Sequence, residues 1–213
     1  MPVDDELSIQ TNSELDQHFL SNPVKLALLI EAAAIQPNDH VVEVGAGIGT
    51  VAEHVPVCQS LTVIEYDVNL IPHLRKRVPH AHVIQGDALR ILPTVRCDVL
   101  LSNLPSMLIP AVVGLLPRLD FRAAVITAPS IDGLAPLEDV FELEAVTMLE
   151  SHDFRPPQSA SAEVVRVKRR ELRGDTAETD SNFSKRSFPT VDAGTHTRHS
   201  LLGGLQLCKY RTL

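Results

Sequence analysis

A run of glycines directly follows an apolar segment near residue 45. The segment reads Val41-Val42-Glu43-Val44, and the turn after it reads Gly45-Ala46-Gly47-Ile48-Gly49. A strand that ends in glycines lets a ligand approach the backbone, because no Cβ stands in the way. We expect a helix to follow to about Val55, with its first free N–H groups facing polar parts of a nucleotide-like ligand. A plain connection between two elements is the alternative interpretation.

An acidic residue, Glu65, stands at the predicted end of the next strand, about 20 residues further on. A carboxylate there can accept hydrogen bonds from both hydroxyls of a ribose, although it could also be a solvated strand-end acid. The spacing fits dinucleotides and S-adenosylmethionine. The dinucleotide fingerprint needs a glycine at position 50, which is Thr50 here, so S-adenosylmethionine is favoured. Glu43 also favours S-adenosylmethionine, because it could position a loop or a water against the cationic methionine end of that ligand.

Two polar corners follow the third and fourth predicted strands. Gly86-Asp87 offers a carboxylate to the exocyclic amine of adenine, or alternatively an acidic helix cap. Asn103-Leu104-Pro105 ends the fourth strand, where an open parallel sheet places its reacting groups. An amide and nearby carbonyls can accept the hydrogens of an amine and aim its lone pair at an electrophilic methyl group. A simple strand-ending turn is the alternative for this segment.

These corners meet only if the strands lie in one parallel sheet. Apolar strands alternate with helical segments, the strands over 40–44, 61–64, 81–84, 98–101 and 123–127 and the helices over 22–35, 69–78 and 107–116. The alternation predicts an α/β fold with a doubly wound, mainly parallel, Rossmann-like methyltransferase sheet. Two strands over 140–149 and 163–167, with no helix between them, predict an antiparallel hairpin at the sheet edge.

The same patterning sets the expected domain bounds. We predict a flexible N-terminus over 1–16, an S-adenosylmethionine-dependent methyltransferase domain over 17–171, and a disordered polar tail over 172–213. The tail is rich in Ser, Thr, Asp, His and Gly and has few apolar residues with which to build a core.

Composition narrows the class of protein. The 213 residues carry three cysteines, too few and too far apart for a disulfide framework or a zinc site, so we expect no metal. With no apolar run long enough for a membrane span and no signal-like start, we expect a cytoplasmic protein that does not bind membranes. The net charge is −8, but residues 1–154 hold 8 Lys and Arg against 21 Asp and Glu. A polyanionic partner would therefore be repelled by most of the surface and attracted to the C-terminal end.

Several of these segments, in this order, resemble the ribosomal RNA adenine dimethyltransferase family, which includes archaeal and eukaryotic dimethyladenosine transferases and macrolide-resistance methylases. The segments are Asp16-Gln17-His18-Phe19-Leu20, Glu43-Val44-Gly45-Ala46-Gly47, Glu65, Gly86-Asp87-Ala88, Asn103-Leu104-Pro105, and Phe154-Arg155-Pro156-Pro157 with Ser161-Ala162-Glu163-Val164-Val165. The resemblance implies methylation of the N6 amine of adenine in ribosomal RNA, with S-adenosylmethionine as cofactor. It implies catalysis by Asn103, Leu104 and Pro105. It also implies a cofactor site lined by His18, Leu20, Gly45, Gly47, Glu65, Asp87 and Asn103.

The chain departs from this family in three places. Ser106 replaces the aromatic residue that follows Asn-Leu-Pro in the family and stacks on the target adenine. The segment over 128–153 looks shortened, and after about residue 170 no helical pattern matches the family's C-terminal helical domain. A basic cluster remains, which could touch phosphates or be a solvated strand edge; it comprises Arg166, Lys168, Arg169, Arg170 and Arg173.

Three functions are therefore compatible with the sequence. The first is a methyltransferase acting on adenine N6 in ribosomal RNA. The second is a methyltransferase for a small amine or another metabolite, which Ser106, the acidic body and the missing RNA domain favour. The third is a non-catalytic relative that kept the cofactor fold, against which the intact Glu65, Asp87 and Asn103 argue.

Overall fold

The structure is a computed structural model that describes residues 15–170. The strands of these residues are β1 (Phe19–Leu20), β2 (His40–Val44), β3 (Ser60–Glu65), β4 (His82–Gln85), β5 (Val99–Ser102), β6 (Ala123–Ala128), β7 (Phe141–Leu149), β8 (Phe154–Arg155) and β9 (Ala162–Arg169). The α-helices are α1 (Pro23–Ala33), α2 (Ile71–Arg77), α3 (Ala88–Ile91) and α4 (Ile109–Leu115). The predicted tail over 172–213 and nearly all of the predicted flexible N-terminus lie outside the described residues.

Seven strands form one sheet in the order β4-β3-β2-β5-β6-β9-β7. The first five run parallel, whereas β9 pairs antiparallel with both β6 and β7. The strand order changes direction between β2 and β5, so the connections leave these two strands on opposite sides and open a crevice at their carboxyl ends. The prediction of a doubly wound α/β fold with an antiparallel edge hairpin is thus confirmed.

Helix α1 begins where the sequence predicts. The side-chain oxygen of Asn22 accepts a hydrogen bond from the Val24 amide at 2.9 Å, and Pro23 occupies the first helical position. The helix ends at Ala34, which has a positive φ of 48°. Its buried residues, Leu26 and Leu29, pack on one face of the sheet.

The core lies in two aliphatic layers on either side of the sheet. The α1 side includes Val41, Val63 and Leu101, and the α3 and α4 side includes Val42, Leu100 and Ile126. Buried central strands in a doubly wound sheet are apolar on both faces, so a polar side chain within one is exceptional. Among the helices of residues 15–170, none has the length and apolar character needed to cross a membrane.

The helix expected after the glycine turn is absent, and that prediction was wrong. Residues Ala52–His54 form only a single 3₁₀ turn. Three glycines and the β-branched Ile48, Thr50 and Val51 disfavour an α-helix, and Pro56 prevents its extension. The described chain therefore offers no α-helical N-terminus at this turn for a polar ligand.

Candidate functional site

The glycine turn is pinned to the strand beside it. The amides of Gly45 and Ala46 both donate to the carbonyl oxygen of Ile64, at 2.9 and 3.2 Å. Gly45 and Gly47 have φ values of 71° and 57°, a conformation that disfavours other residues. The turn therefore follows β2 and lies across the carboxyl end of β3.

Two side chains approach this turn so closely that a Cβ would not fit. A Cβ at Gly45 would lie 2.7 Å from Cδ2 of Leu104, and one at Gly47 would lie 2.7 Å from Cε1 of Phe19. The carbonyl oxygen of Asn103 would be 3.4 Å from the same Cβ of Gly45. The glycines thus bring the Asn-Leu-Pro corner and the N-terminal segment together at one point.

The Glu65 side chain binds the backbone of the glycine turn. One carboxylate oxygen accepts the Gly47 amide at 2.7 Å, and the other accepts the Asp67 amide at 2.7 Å. The side chain is 7% exposed, and burial raises its pKa although the two amide bonds oppose the rise. Each carboxylate oxygen can accept a second hydrogen bond, so the group keeps capacity for a hydroxyl ligand.

Glu43 is the most deeply buried acid of the site. It is 1% exposed, and its Oε2 has no hydrogen-bond partner among the described residues. Burial raises the pKa of the Glu43 carboxyl to about 8, the charge of Glu65 adds to the rise, and a hydrogen bond from the Ala52 amide opposes it. The carboxyl is therefore mostly protonated at neutral pH.

Glu43 makes the stability of the fold depend on pH. Its pKa is raised from 4.5 in the unfolded chain to about 8, so the native state holds a proton that the unfolded state loses between those values. Stability from this group is complete below the lower value and falls as pH rises towards the upper one. As pH rises from about 5 to about 7.5, we expect the unfolding free energy of the wild type to fall by roughly 3 kcal/mol relative to that of Glu43→Gln.

Denaturant unfolding of both proteins across this pH range measures the gain. The exposed Glu53, which pairs with Arg77 on the surface, supplies the control, since Glu53→Gln leaves the pH slope as it is. Parallel pH profiles for Glu43→Gln and the wild type would contradict the prediction.

Asp87 sits beside Glu65 but is engaged locally. The amide of Gly86 donates to the carbonyl oxygen of Glu65 at 2.8 Å, which ties the ends of β3 and β4 together. Oδ1 of Asp87 caps α3 by accepting the Leu89 amide at 2.9 Å, and Oδ2 lies 3.4 Å from Nε of Arg90. The helix-cap geometry is therefore present, and the side chain is 44% exposed.

The N-terminal segment crosses the site as a strap, by which we mean residues 17–20. Its strand β1 pairs antiparallel with β8, far along the chain. Nε2 of Gln17 donates to Asp67 at 2.8 Å, and Nδ1 of His18 lies 2.9 Å from the carbonyl oxygen of Pro156. Of the two strap residues predicted to bind cofactor, His18 lies partly exposed at the edge and Leu20 lies fully in the core.

The sequence interpretation missed three parts of this arrangement. It did not predict that Phe19 covers Gly47, that Gln17 binds Asp67, or that Glu65 supports the turn as well as facing it. The buried Asp67 stands two residues after Glu65, and a second acid at that spacing was the available signal.

The basic cluster is largely used within the fold. Arg169 lies over the rings of Phe121 and Phe141, with its guanidinium carbon 5.8 and 5.1 Å from their centroids, and donates to the carbonyl oxygen of Leu119. Arg166 lies 3.6 Å from Glu144, and Nε of Arg170 donates to the carbonyl oxygen of Glu138. Lys168 is exposed, and Arg173 lies outside the described residues. Within residues 15–170, the cluster thus mainly stabilises the edge of the sheet.

No group of three or more His, Cys, Asp or Glu residues in that range forms a candidate metal site.

Comparison with known proteins shows a family similarity that covers the turn and the strap. The family model described as ribosomal RNA adenine dimethylase matches residues 8–99, which include the strap, the glycine turn, Glu65 and Asp87. Residues 8–99 are thus similar to the ribosomal RNA adenine dimethylase family. The matched range ends before Asn103, so it does not include the Asn-Leu-Pro corner.

Individual relatives agree with this similarity. Ribosomal RNA small subunit methyltransferase A of Prosthecochloris aestuarii is 33% identical over 84 residues, which are 39% of this chain and 32% of the relative. The protein of the same name from Thermobifida fusca is 32% identical over 145 residues, 61% of this chain and 50% of the relative. The chain thus spans between a third and half of the length of these two relatives. The crystal structure of a dimethyladenosine transferase from Plasmodium falciparum has a TM-score of 0.63 at 24% identity, covering 72% of this chain and 64% of that one, and it shows the shared fold.

Proposed function

We propose that this chain is an S-adenosylmethionine-dependent methyltransferase that acts on the N6 amine of adenine in ribosomal RNA. One observation carries the proposal. Glu65 binds the Gly47 amide, while the Asn103 carbonyl and the Leu104 side chain lie against Gly45. The acid proposed for the ribose and the corner proposed for the amine therefore border the same turn.

The residues present fit such a cofactor. Glu65 keeps acceptor capacity for ribose hydroxyls, and the absence of a Cβ at Gly45 and Gly47 lets Leu104 and Phe19 pack directly against the turn beside it. Glu43 adds a buried carboxyl whose Oε2 has no partner among residues 15–170 and can hydrogen-bond a water or a polar group of the ligand. In this proposal His18, Leu20 and Asp87 complete the cofactor set, Leu20 through its backbone since its side chain lies in the core.

The chain supplies alignment for the reaction. When bound, S-adenosylmethionine would supply a methyl group on a sulfonium sulfur; its transfer would form an N–C bond, break the C–S bond and release a proton from the amine to solvent. The Asn103 amide oxygen and the Leu104 carbonyl accept the hydrogens of the amine and direct its lone pair. Pro105 fixes the backbone of this corner because its ring restricts φ. A flipped-out adenine would present its amine in this way.

Two measurements on the full chain test the proposal. Calorimetry with S-adenosylmethionine is expected to show binding, and absence of binding at millimolar cofactor would support the non-catalytic alternative instead. Incubation with labelled cofactor and ribosomal subunits is expected to label RNA. Label confined to small molecules of a cell extract would overturn the RNA substrate while preserving the methyltransferase.

A small amine is the second candidate substrate, and two observations favour it. Position 106 carries an exposed serine where a ring would stack on a base, and Arg166, Arg169 and Arg170 each contact a residue of the fold, namely Glu144, Leu119 and Glu138. The two candidates share every proposed cofactor contact, so only the labelling experiment separates them.

A new ring at position 106 is expected to favour an RNA substrate. Stacking on a base is worth about 1–3 kcal/mol, so Ser106→Tyr is expected to raise the kcat/KM for RNA methylation by at least about fivefold, the lower limit of that range. The rate is measured with labelled cofactor and ribosomal subunits. Val57→Tyr, an exposed ring near the amino ends of the strands, is the control and leaves the rate unchanged. An unchanged rate for Ser106→Tyr would show that the adenine does not lie against this position.

A further inference from the structure

Two buried hydroxyl groups stand at the carboxyl ends of neighbouring strands without hydrogen-bond partners in the part of the chain that the structure describes. They belong to Thr127 of β6, which is 6% exposed, and Ser102 of β5, which is 3% exposed. A buried hydroxyl without a partner lowers stability, so folded proteins retain few of them. Of these two hydroxyls, the one that lies beside Asn103 is a candidate for a role in the reaction.

The sheet register separates the two hydroxyls. Ser102 pairs with Ile126, so one residue further along both strands Thr127 comes opposite Asn103. Thr127 also pairs with Val164 of β9, and Val164 belongs to the core layer that contains Leu20 of the strap. Thr127 therefore lies on the face of the sheet that carries Leu20 and Glu43.

Ser102 faces the other way. It pairs with Val44 and Ile126, which both belong to the core layer on the α3 and α4 side. Because successive residues of a strand point to opposite faces, its hydroxyl is separated from the strap by the sheet itself. Ser102 is thus a matched control, equally buried and equally unpartnered, but on the wrong face.

An amide clamp works only in one of its two orientations. The side-chain oxygen of Asn103 can accept a hydrogen from the target amine, whereas its NH₂ group would repel that amine. A hydroxyl that accepts one of the NH₂ hydrogens fixes the orientation. We propose that Thr127 is a positioning residue: its Oγ1, which has no partner in the described residues, accepts a hydrogen bond from Nδ2 of Asn103 once S-adenosylmethionine is bound, and so turns the amide oxygen towards the amine. The proposal rests on the role proposed above for Asn103.

Kinetics of three variants provide the first test. Thr127→Val keeps the shape and removes the hydroxyl, and we expect it to lower kcat by about tenfold with the KM for cofactor unchanged, because only alignment is lost. Thr127→Ser restores the hydroxyl and is expected to stay within about twofold of the wild type. Ser102→Ala is expected to leave both constants unchanged. A wild-type kcat for Thr127→Val, or equal losses for the valine and serine variants, would overturn the proposal.

A second readout does not need activity. The side-chain NH₂ signal of Asn103 in a ¹H–¹⁵N spectrum is identified by its loss in Asn103→Ala. In the presence of S-adenosylmethionine, Thr127→Val is expected to shift this signal, and Thr127→Ser and Ser102→Ala to leave it in place. An unmoved signal in Thr127→Val would overturn the positioning role even if methyl transfer is confirmed. A shifted signal in a protein that transfers no methyl group would support the hydrogen bond while the proposed function fails.

Discussion

Replacing Asn103 with alanine is expected to lower the rate of methyl transfer by about a thousandfold, the upper range for removing one preorganised polar group from a reacting centre. The variant loses the amide oxygen that accepts the amine hydrogen, and the amine then samples many orientations relative to the methyl group. Since Asn103 also belongs to the proposed cofactor set, we expect a smaller loss of S-adenosylmethionine affinity, about tenfold, from one missing hydrogen bond.

Labelled-methyl transfer and calorimetry measure the two effects separately. Asn38→Ala, in an exposed turn before β2, is the control and should behave as the wild type. A variant at position 103 that keeps more than about a tenth of the wild-type rate would remove Asn103 from the reaction, because alignment by one clamp is worth more than that.

Replacing Glu65 with glutamine is expected to weaken S-adenosylmethionine binding by about a hundredfold or more. Both carboxylate oxygens accept backbone amides, from Gly47 and from Asp67. Glutamine has a single acceptor oxygen, so its NH₂ group must face one of these N–H groups, and each hydrogen bond to a charged group is worth about 1.5–3 kcal/mol. The turn loosens and the ribose acceptor is lost in the same step.

The two consequences of Glu65→Gln are measured by different experiments. Calorimetry gives the affinity, and thermal unfolding without cofactor gives the loss from the loosened turn. Glu53→Gln, which changes an acid on the 3₁₀ turn beside the site, is expected to alter neither by much. Wild-type affinity in Glu65→Gln would show that this acid serves the turn alone.

Local patterns predicted the parts of the site that depend on strand ends. Strands β2, β3 and β5 are short apolar runs, and a parallel sheet brings their carboxyl ends to one edge. For this reason Gly45, Glu65 and Asn103 could be grouped from sequence. A helix was predicted after the turn because such folds usually place one there. The prediction was wrong because the β-branched residues of this segment disfavour a helix.

Contacts between distant segments could not be predicted in the same way. Phe19 meets Gly47 because β1 pairs with a strand about a hundred and thirty residues away, and no local pattern encodes that pairing. The unpartnered oxygens of Glu43 and Thr127 depend on burial by several elements at once. Their side-chain types were visible in the sequence, but their lack of partners belongs to the tertiary structure.

The pairing of β1 with β8 also means that the strap can take its final place only late in synthesis. Phe19 and Leu20 leave the ribosome early, whereas Phe154 and Arg155, which hold them in place, follow only after almost the whole sheet has been made. A nascent chain can therefore form the glycine turn and the β2–β3 ladder without the ring that covers Gly47. A shortened chain that stops before Phe154 would lack the strand that holds Phe19 over Gly47, together with β9 of the main sheet.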